Sequence, residues 1–432
     1  MRLAVGLFMV YKSSIYNVIE KHDGVEYLIN TLSQSIVKLL PNEASRIKEL
    51  LKKPVPTDCK EKKYIDVLLR NDFLVPINKN ELAWLKYLYT KKWFDTTHQN
   101  IVFLPTLKCN FSCPYCFEME KSLDIDEARL ELFIEYLRNI TKTIDVLNIS
   151  FFGGEPLIKI HEIEHILEEL LRLSTIRDCK VYTHITTNAY LLNSELIKSL
   201  FVKYGMKSIQ ITFDGDKKHH DTRRVLSDRS PTFDTILTNT KKLIEVVRKY
   251  ALNDREIVIR LNYDDEDIED IKRFLELFSN EEKKHFYIYF RKIYNTKKWK
   301  SGNSKIKNLH VLYSLANSKG FKILKQGRSN FTYCECDGGR NQLTILPDLS
   351  VWKCANDISY QSAKIGFIEK DASLVIDEYQ LMQWNSKNPF DDVTCSQCCY
   401  LPICLGGCPL NWLKNKKRNC FYNKGSIYDV LK

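Results

Sequence analysis

The stretch "NIVFLPTLKCNFSCPYCFEME", Asn100 to Glu120, runs an apolar segment straight into three cysteines within eight positions, Cys109, Cys113 and Cys116. A structural zinc site takes four ligands, and an iron–sulfur cluster usually takes four thiolates. Three thiols with no fourth close by point to a metal centre left open at one corner. Their place matters as much as their number. They begin where a strand ends, so the kind of sheet that strand joins decides what the open corner faces.

Outward from this stretch, residues 101–293 alternate between two patterns. "NIVFLPTL", "DVLNISFF", "CKVYTHITT", "KSIQITF", "EIVIRLNY" and "HFYIYFRK" read as strands. "DEARLELFIEYLRNI", "HEIEHILEELLRL", "SELIKSLFVKY", "FDTILTNTKKLIEVVRKY" and "DIEDIKRFLELF" read as helices. Six strands with five intervening helices are the pattern of parallel βα units. Such a sheet, closed or nearly closed, carries its active site at the C-terminal ends of its strands. The cysteines fall at that rim.

The flanks differ. "YNVIEKHDGVEYLI" predicts a hairpin with its turn at His22-Asp23-Gly24. Helical patterns follow in "NEASRIKELLKK" and "KKYIDVLLRNDF", and "NELAWLKYLYTKKWFD" predicts a helical connector. After the alternating block, "KKWKSGNSKIKN" reads as a polar bridge. From Cys334 onward turns and cysteines replace the regular pattern, and the apolar content looks too sparse for a core without metal. The expected divisions are 1–95, 96–299, 300–333 and 334–432.

The 432 residues predict two or three domains, and 44% hydrophobic with 28% charged residues is an ordinary globular composition. No apolar run reaches the ~20 residues of a membrane span, so no membrane partner is expected. The start, "MRLAVGLFMVYKSS", lacks a small-residue cleavage site and reads as a first strand, which predicts a cytoplasmic protein. The net charge of +11 comes from lysines mixed with acids, the pattern of solvated helix faces. It implies at most a modest pull on acidic peptides, and no nucleic-acid partner is expected. Of fourteen cysteines, eleven cluster, Cys420 follows closely, and Cys59 and Cys179 stand alone. In a reducing compartment that clustering points to metal. Zinc sites in a basic nucleic-acid-binding protein are the alternative, for which "KKRNCFYNKG" supplies few of the aromatics needed.

Cys109-x3-Cys113-x2-Cys116, with Tyr115 before the last cysteine, resembles the signature of the radical S-adenosylmethionine (SAM) enzymes. The resemblance implies a 4Fe–4S cluster on these three thiolates, with SAM chelating the fourth iron and being cleaved to a 5′-deoxyadenosyl radical. "FFGGEP" matches the family's SAM amino-group stretch at Gly153, Gly154 and Glu155. "ITTNAYLL" resembles its Thr-Asn-Gly stretch, placing Thr187 and Asn188 near the cofactor, with Ala189 where Gly is usual. "ITFDGDKKHHDTRR" resembles the Ser-x-Asp-Gly…His-Asp-x-x-Arg pattern of peptide-modifying members, through Thr212 and Asp214. "IVIRLNYD" puts Arg260 at the rim.

The later cysteines resemble the SPASM domain of peptide-modifying members. That implies two auxiliary 4Fe–4S clusters, three in all. One would use Cys336, Cys354 and Cys408 with Cys334 as possible fourth ligand. The other would use Cys395, Cys398, Cys404 and Cys420. Two residues depart from the pattern. Leu349 replaces a usual Gly ahead of Cys354, so the turn there is expected to differ. Ala355 replaces the aspartate base of sulfatase-maturing members, which argues against that task.

The implied fold is α/β: a partial (β/α)6 TIM-like radical SAM barrel with an N-terminal α+β, winged-helix-like domain and a C-terminal SPASM domain. In such maturases the N-terminal element binds the leader of a ribosomally made precursor peptide by strand addition. The implied product is a Cys thioether crosslink. Carbon–carbon crosslinking, epimerisation and oxidation are the other outcomes, and ferredoxin or flavodoxin would be the electron donor.

Overall fold

The computed structural model describes residues 10–22, 24–56, 61–116, 122–264, 268–293, 300, 309–324, 341–355, 357–358, 360–386, 388–415 and 420. The expected ligands Cys334 and Cys336 lie outside them, as does the lone Cys59.

At the N-terminal end, β1 (Val10–Ser13) is followed by β2 (Asn17–His22), β3 (Val25–Asn30) and β4 (Ile36–Leu39). β2 and β3 pair antiparallel from Asn17↔Asn30 to His22↔Val25, the expected hairpin, and Gly24 takes the positive φ that its turn needs. β4 completes a three-stranded meander. Then come α1 (Pro41–Leu50), β5 (Val55–Pro56), α2 (Lys62–Arg70), β6 (Leu74–Pro76) and α3 (Glu81–Trp93). β1 sits between β5 and β6 in a second small sheet. Leu28, Ile47, Leu50, Ile65, Leu68 and Phe73 form the core that unites these helices and strands.

The alternating block forms as the sequence predicts. Its strands are β7 (His98–Phe103), β8 (Val146–Phe151), β9 (Lys180–Thr187), β10 (Ser208–Asp214), β11 (Glu256–Tyr263) and β12 (Phe286–Lys292). They lie side by side in chain order, all parallel. A single winding of this kind brings every strand's C-terminal end to one rim. The covering helices are α4 (Glu127–Ile140), α5 (Ile160–Ile176), α6 (Ser194–Lys198, extended by a π-helical turn over Ser199–Lys203), α7 (Lys217–Arg223), α8 (Phe233–Lys249) and α9 (Ile268–Leu275). Asp126 caps α4 by accepting from the Arg129 amide. Alternate residues such as Ile149, Phe151, Ile209, Ile211, Ile257 and Ile259 are buried in one core, where Phe103 stacks on Phe133 at 4.0 Å.

Past β12 the structure adds what the sequence reading did not. Residues expected only to bridge carry α10 (Leu309–Ser318) and β13 (Lys322–Ile323), which pairs parallel with β12. At the sheet's other side, β14 (Gln342–Ile345) pairs parallel with β7, so the cysteine-bearing strand is central and not an edge. β15 (Ser350–Trp352), β16 (Lys364–Ile368) and β17 (Leu374–Ile376) continue antiparallel, giving this sheet eleven strands among the described residues. α11 (Glu378–Asn385), α12 (Val393–Ser396), α13 (Leu401–Cys404) and α14 (Pro409–Asn415) follow.

This corrects the expectation that everything after Cys334 needs metal for its core. Leu343, Ile345, Leu349, Val351 and Ile365 join the barrel's own apolar core. The compact units accordingly cut across the linear divisions. One comprises residues 1–94, 326–339 and 383–432, and the other residues 95–325 and 340–382.

Candidate active site

The cysteine loop leaves β7 and is gripped by the end of β8. The amides of Gly154 and Glu155 donate to the carbonyls of Thr106 (3.1 Å) and Lys108 (2.8 Å). A Cβ at Gly153 would strike the Thr106 carbonyl oxygen, and one at Gly154 would strike those of Leu107 and Lys108. The two glycines are thus required by close approach of backbone to the loop itself. Glu155 is buried, and both of its oxygens accept hydrogen bonds. Oε1 accepts from the Leu157 amide (3.0 Å) and Thr187 Oγ1 (2.6 Å), and Oε2 accepts from the Asn188 amide (2.7 Å). Burial raises its pKa, while these three bonds work in the opposite direction. Asn188 reaches back to the loop, its Nδ2 donating to Asn110 Oδ1 at 2.7 Å. The ends of β7, β8 and β9 are therefore bound into one piece around Cys109, Cys113 and Cys116, all half-buried.

From the other side, the ends of β10 and β11 and the residue that follows α7 contribute charge. Asp214 and Asn262 are register partners, and Asn262 Nδ2 donates to Asp214 Oδ1 at 3.0 Å. Arg260 Nε donates to Asn262 Oδ1 at 2.8 Å, so a relay runs from Arg260 to Asp214. Burial lowers the pKa of Arg260, although a guanidinium stays charged throughout the working pH range. Arg224 donates to the Tyr115 hydroxyl at 3.1 Å, and its guanidinium sits 5.5 Å from the Phe111 ring centroid. Burial opposes the charge on Arg224, but Tyr115, Cys113 and Asp214 outweigh it and push its pKa up. Burial and the Asp214 charge hold the Tyr115 phenol protonated. Thr212, two residues before Asp214, pairs in register with Arg260.

Residues 103–275 match the radical SAM superfamily. Those residues are similar to a radical SAM domain. A cysteine-type anaerobic sulfatase-maturating enzyme of Clostridium novyi is 23% identical over 70% of this chain and 85% of its own length. The radical SAM cyclopropyl synthase TigE of Paramaledivibacter caminithermalis is 26% identical over 55% of this chain and 54% of its own length. The chain spans about half the length of two of the curated relatives it matches. Among solved structures, SuiB of Streptococcus suis bound to S-adenosylmethionine superposes with a TM-score of 0.56 at 17% identity, covering 94% of this chain and 97% of SuiB. SuiB has also been solved bound to its precursor peptide SuiA.

Around the cysteine loop, three polar atoms are buried without a partner among the described residues: Asn110 Nδ2, Arg224 Nε and Asp214 Oδ2. Two donors and one acceptor beside three thiols fit a ligand carrying carboxylate, amino and hydroxyl groups, as S-adenosylmethionine does. Asn110, Arg224 and Asn262 were not singled out from sequence. For Arg224 a signal existed, since it closes the His-Asp-x-x-Arg pattern. Asn262 had none, because only its register beside Asp214 shows what it does.

The C-terminal cysteines divide between the units. Cys354 is buried just past β15 in the barrel unit, while Cys395, Cys398, Cys404, Cys408 and the exposed Cys420 belong to the other. Cys395, Cys398 and Cys404 follow one another on tight turns, with the Cys398 amide donating to the Cys395 carbonyl at 3.0 Å. After Cys404, Leu405, Gly406 and Gly407 all take positive φ. Cys399, unassigned by the pattern, hydrogen-bonds to Cys398; this lowers the Cys398 thiol to about 6 and raises its own. The backbone carbonyl of Cys399 accepts from Thr31 Oγ1.

Proposed function

We propose that this enzyme is a maturase that modifies a ribosomally made precursor peptide, forming a crosslink from a Cys sulfur to carbon. The observation that carries the reading is the clamped three-thiol loop at the end of β7, with Asn110, Arg224 and Asp214 each leaving a buried polar atom unpartnered among the described residues. A 4Fe–4S cluster with bound S-adenosylmethionine would supply one-electron chemistry able to remove hydrogen from carbon. The chain's part is positional. Cys109, Cys113 and Cys116 hold the metal, Gly153 and Gly154 let the loop close, and Glu155 fixes the ends of β8 and β9. Asp214 Oδ2 would offer such a ligand a buried acceptor, and burial would keep water out.

A peptide substrate is supported by three features. In the β2–β3–β4 sheet neither outer strand has a further partner among the described residues, which suits strand addition by a leader. SuiB takes a precursor peptide. The C-terminal cysteines suit two auxiliary clusters with the ligand sets given above, one of which would accept the electron left over when two hydrogens leave per crosslink, while a ferredoxin or flavodoxin would donate the electron that starts each turnover. Ala355 cannot accept a proton, which sets this chain apart from its sulfatase-maturating relatives in task.

The test is mass spectrometry of a small peptide encoded beside this gene and co-expressed with the enzyme. The expected result is loss of two hydrogens per modified Cys, with that Cys resistant to alkylation. An unchanged mass with an inverted stereocentre, or a modified residue other than Cys, would overturn the thioether assignment.

A further inference from the structure

Successive residues of a strand point to opposite faces of its sheet. Ile211 and Phe213 of β10, Ile259 and Leu261 of β11, and Ile288 and Phe290 of β12 all lie in the apolar core. Their neighbours therefore share the other face, in two rows set by register. Thr212, Arg260 and Tyr289 form one row, and Asp214, Asn262 and Arg291 form the next, nearer the C-terminal ends. Arg260 is the anomaly. It is half-buried, yet among the described residues it donates a single hydrogen bond, from Nε to Asn262, and makes no ion pair. Burial works against its charge and Arg291 adds to that, while Tyr289, Tyr115 and Asp214 offset it in part. Asp214 reaches it through Asn262 and also answers Arg224 and Tyr115. The four N–H groups on the two Nη atoms are left for another acceptor. A guanidinium withdrawn from water without a counter-charge is costly, so that acceptor should be an anion.

We propose that Arg260 is a specificity residue whose Nη groups take the carboxylate of an Asp or Glu side chain close to the modified residue of the peptide. The inference rests on the reading of this chain as a peptide maturase. A carboxylate accepts two parallel bonds from the planar guanidinium fork, which the amide of Asn or Gln cannot do. Arg291, one row nearer the strand ends, adds positive charge to the approach. The carboxylate of S-adenosylmethionine is the other source of this chemistry. The donors left over beside the cysteine loop, Asn110 Nδ2 and Arg224 Nε, suit that one. Arg260 stands apart from them, on β11 at the far end of the relay through Asn262.

The experiment uses the full chain, loaded with iron anaerobically. The probes are the capped peptide acetyl-Gly-Cys-Asp-Gly-amide and its Asn counterpart, with affinities read by calorimetry. The Asp peptide should bind about tenfold tighter at low salt, with saturating SAM present as well as without it. Arg260→Gln should remove that preference. In the unaltered chain the Asp peptide should also slow modification of Arg260 by phenylglyoxal more than the Asn peptide does, read by peptide mapping, which serves if the variant does not fold. Equal affinities, no binding of either peptide, or a preference that Arg260→Gln leaves intact would each overturn the inference. A preference abolished by saturating SAM would give the site to the cofactor and overturn it too. Failure of the maturase reading shows separately, as a co-expressed precursor left unmodified.

Discussion

At the scale of single residues, Glu155 shows how a side chain expected to meet the cofactor also holds the site together. Its two oxygens accept from Leu157, Thr187 and Asn188. Glu155→Gln keeps the shape but replaces one acceptor oxygen by an NH2 group, which must face the donor it formerly served. The expected outcome is ~1–3 kcal/mol less stability in denaturant titration, together with weaker iron retention at Cys109, Cys113 and Cys116. Stability equal to the parent would contradict the bracing role. Two departures from the family pattern illustrate what sequence can and cannot show at this scale. Ala189 (φ 61°) and Leu349 (φ 63°) stand where Gly is usual, and both adopt the left-handed backbone that Gly would favour. A changed turn was the natural expectation at Leu349, since αL costs a non-Gly residue roughly 1–2 kcal/mol. The turn is kept because Leu349 is buried in the barrel core, and burying a leucine contributes ~1.5–3 kcal/mol. That offset depends on a neighbour across the fold, which no local pattern contains.

At the scale of elements, the six strands and five helices of the barrel were legible because each repeats a period over many residues. β13, β14 and α7 were not. β14 has four residues, and its partner β7 lies some 240 positions earlier, so pairing is decided by the assembled sheet edge. α7 is seven residues long, and what holds it is side-chain bonding. His220 accepts from the Asp214 amide through Nδ1 (3.3 Å) and donates through Nε2 to Thr232 Oγ1 (3.1 Å). Asp221 Oδ1 accepts from the amides of Thr232 and Phe233, opening α8. Burial, then Arg224 and Arg223, hold the His220 pKa well below its ordinary value of 6.5. The unfolded chain therefore binds a proton that the folded chain refuses. The stability from neutral His220 is complete above about pH 6.5 and is lost as pH falls below it, at up to ~1.4 kcal/mol per pH unit. His220→Gln should be less stable at neutral pH yet show a flatter acid limb in urea midpoints measured from pH 7 to 5. His184, also lowered by burial, leaves some slope in the variant. An acid limb as steep as the parent's would rule out His220 as its source.

At the scale of the whole molecule, linear order misleads, because each compact unit is built from separated pieces of chain. The sequence divides by pattern, while folding divides by buried area. In the unit formed by residues 1–94, 326–339 and 383–432, the described residues of its distant parts meet in small clusters, Ile29 with Ile403, Tyr16 and Leu85 with Leu401 and Leu405, and Tyr89 on Phe390 at 5.3 Å, and through the Thr31 hydroxyl on the Cys399 carbonyl. The barrel unit, by contrast, has one continuous apolar core. If ligation by Cys395, Cys398 and Cys404 supplies folding free energy to the thinner unit, the consequence should reach strands that hold no ligand. Removing iron by chelation under reducing conditions, or replacing Cys404 by Ser, should speed amide exchange in β3 and in α13, because Ile29 packs on Ile403. Exchange in β8 to β11 should stay slow, since that core has apolar area enough to stand alone. Hydrogen exchange read by mass spectrometry separates the cases by peptide. Loss of protection confined to the cysteine-bearing segments would mean that the metal orders only its own loops. Equal loss throughout the barrel would mean that one cooperative fold spans both units.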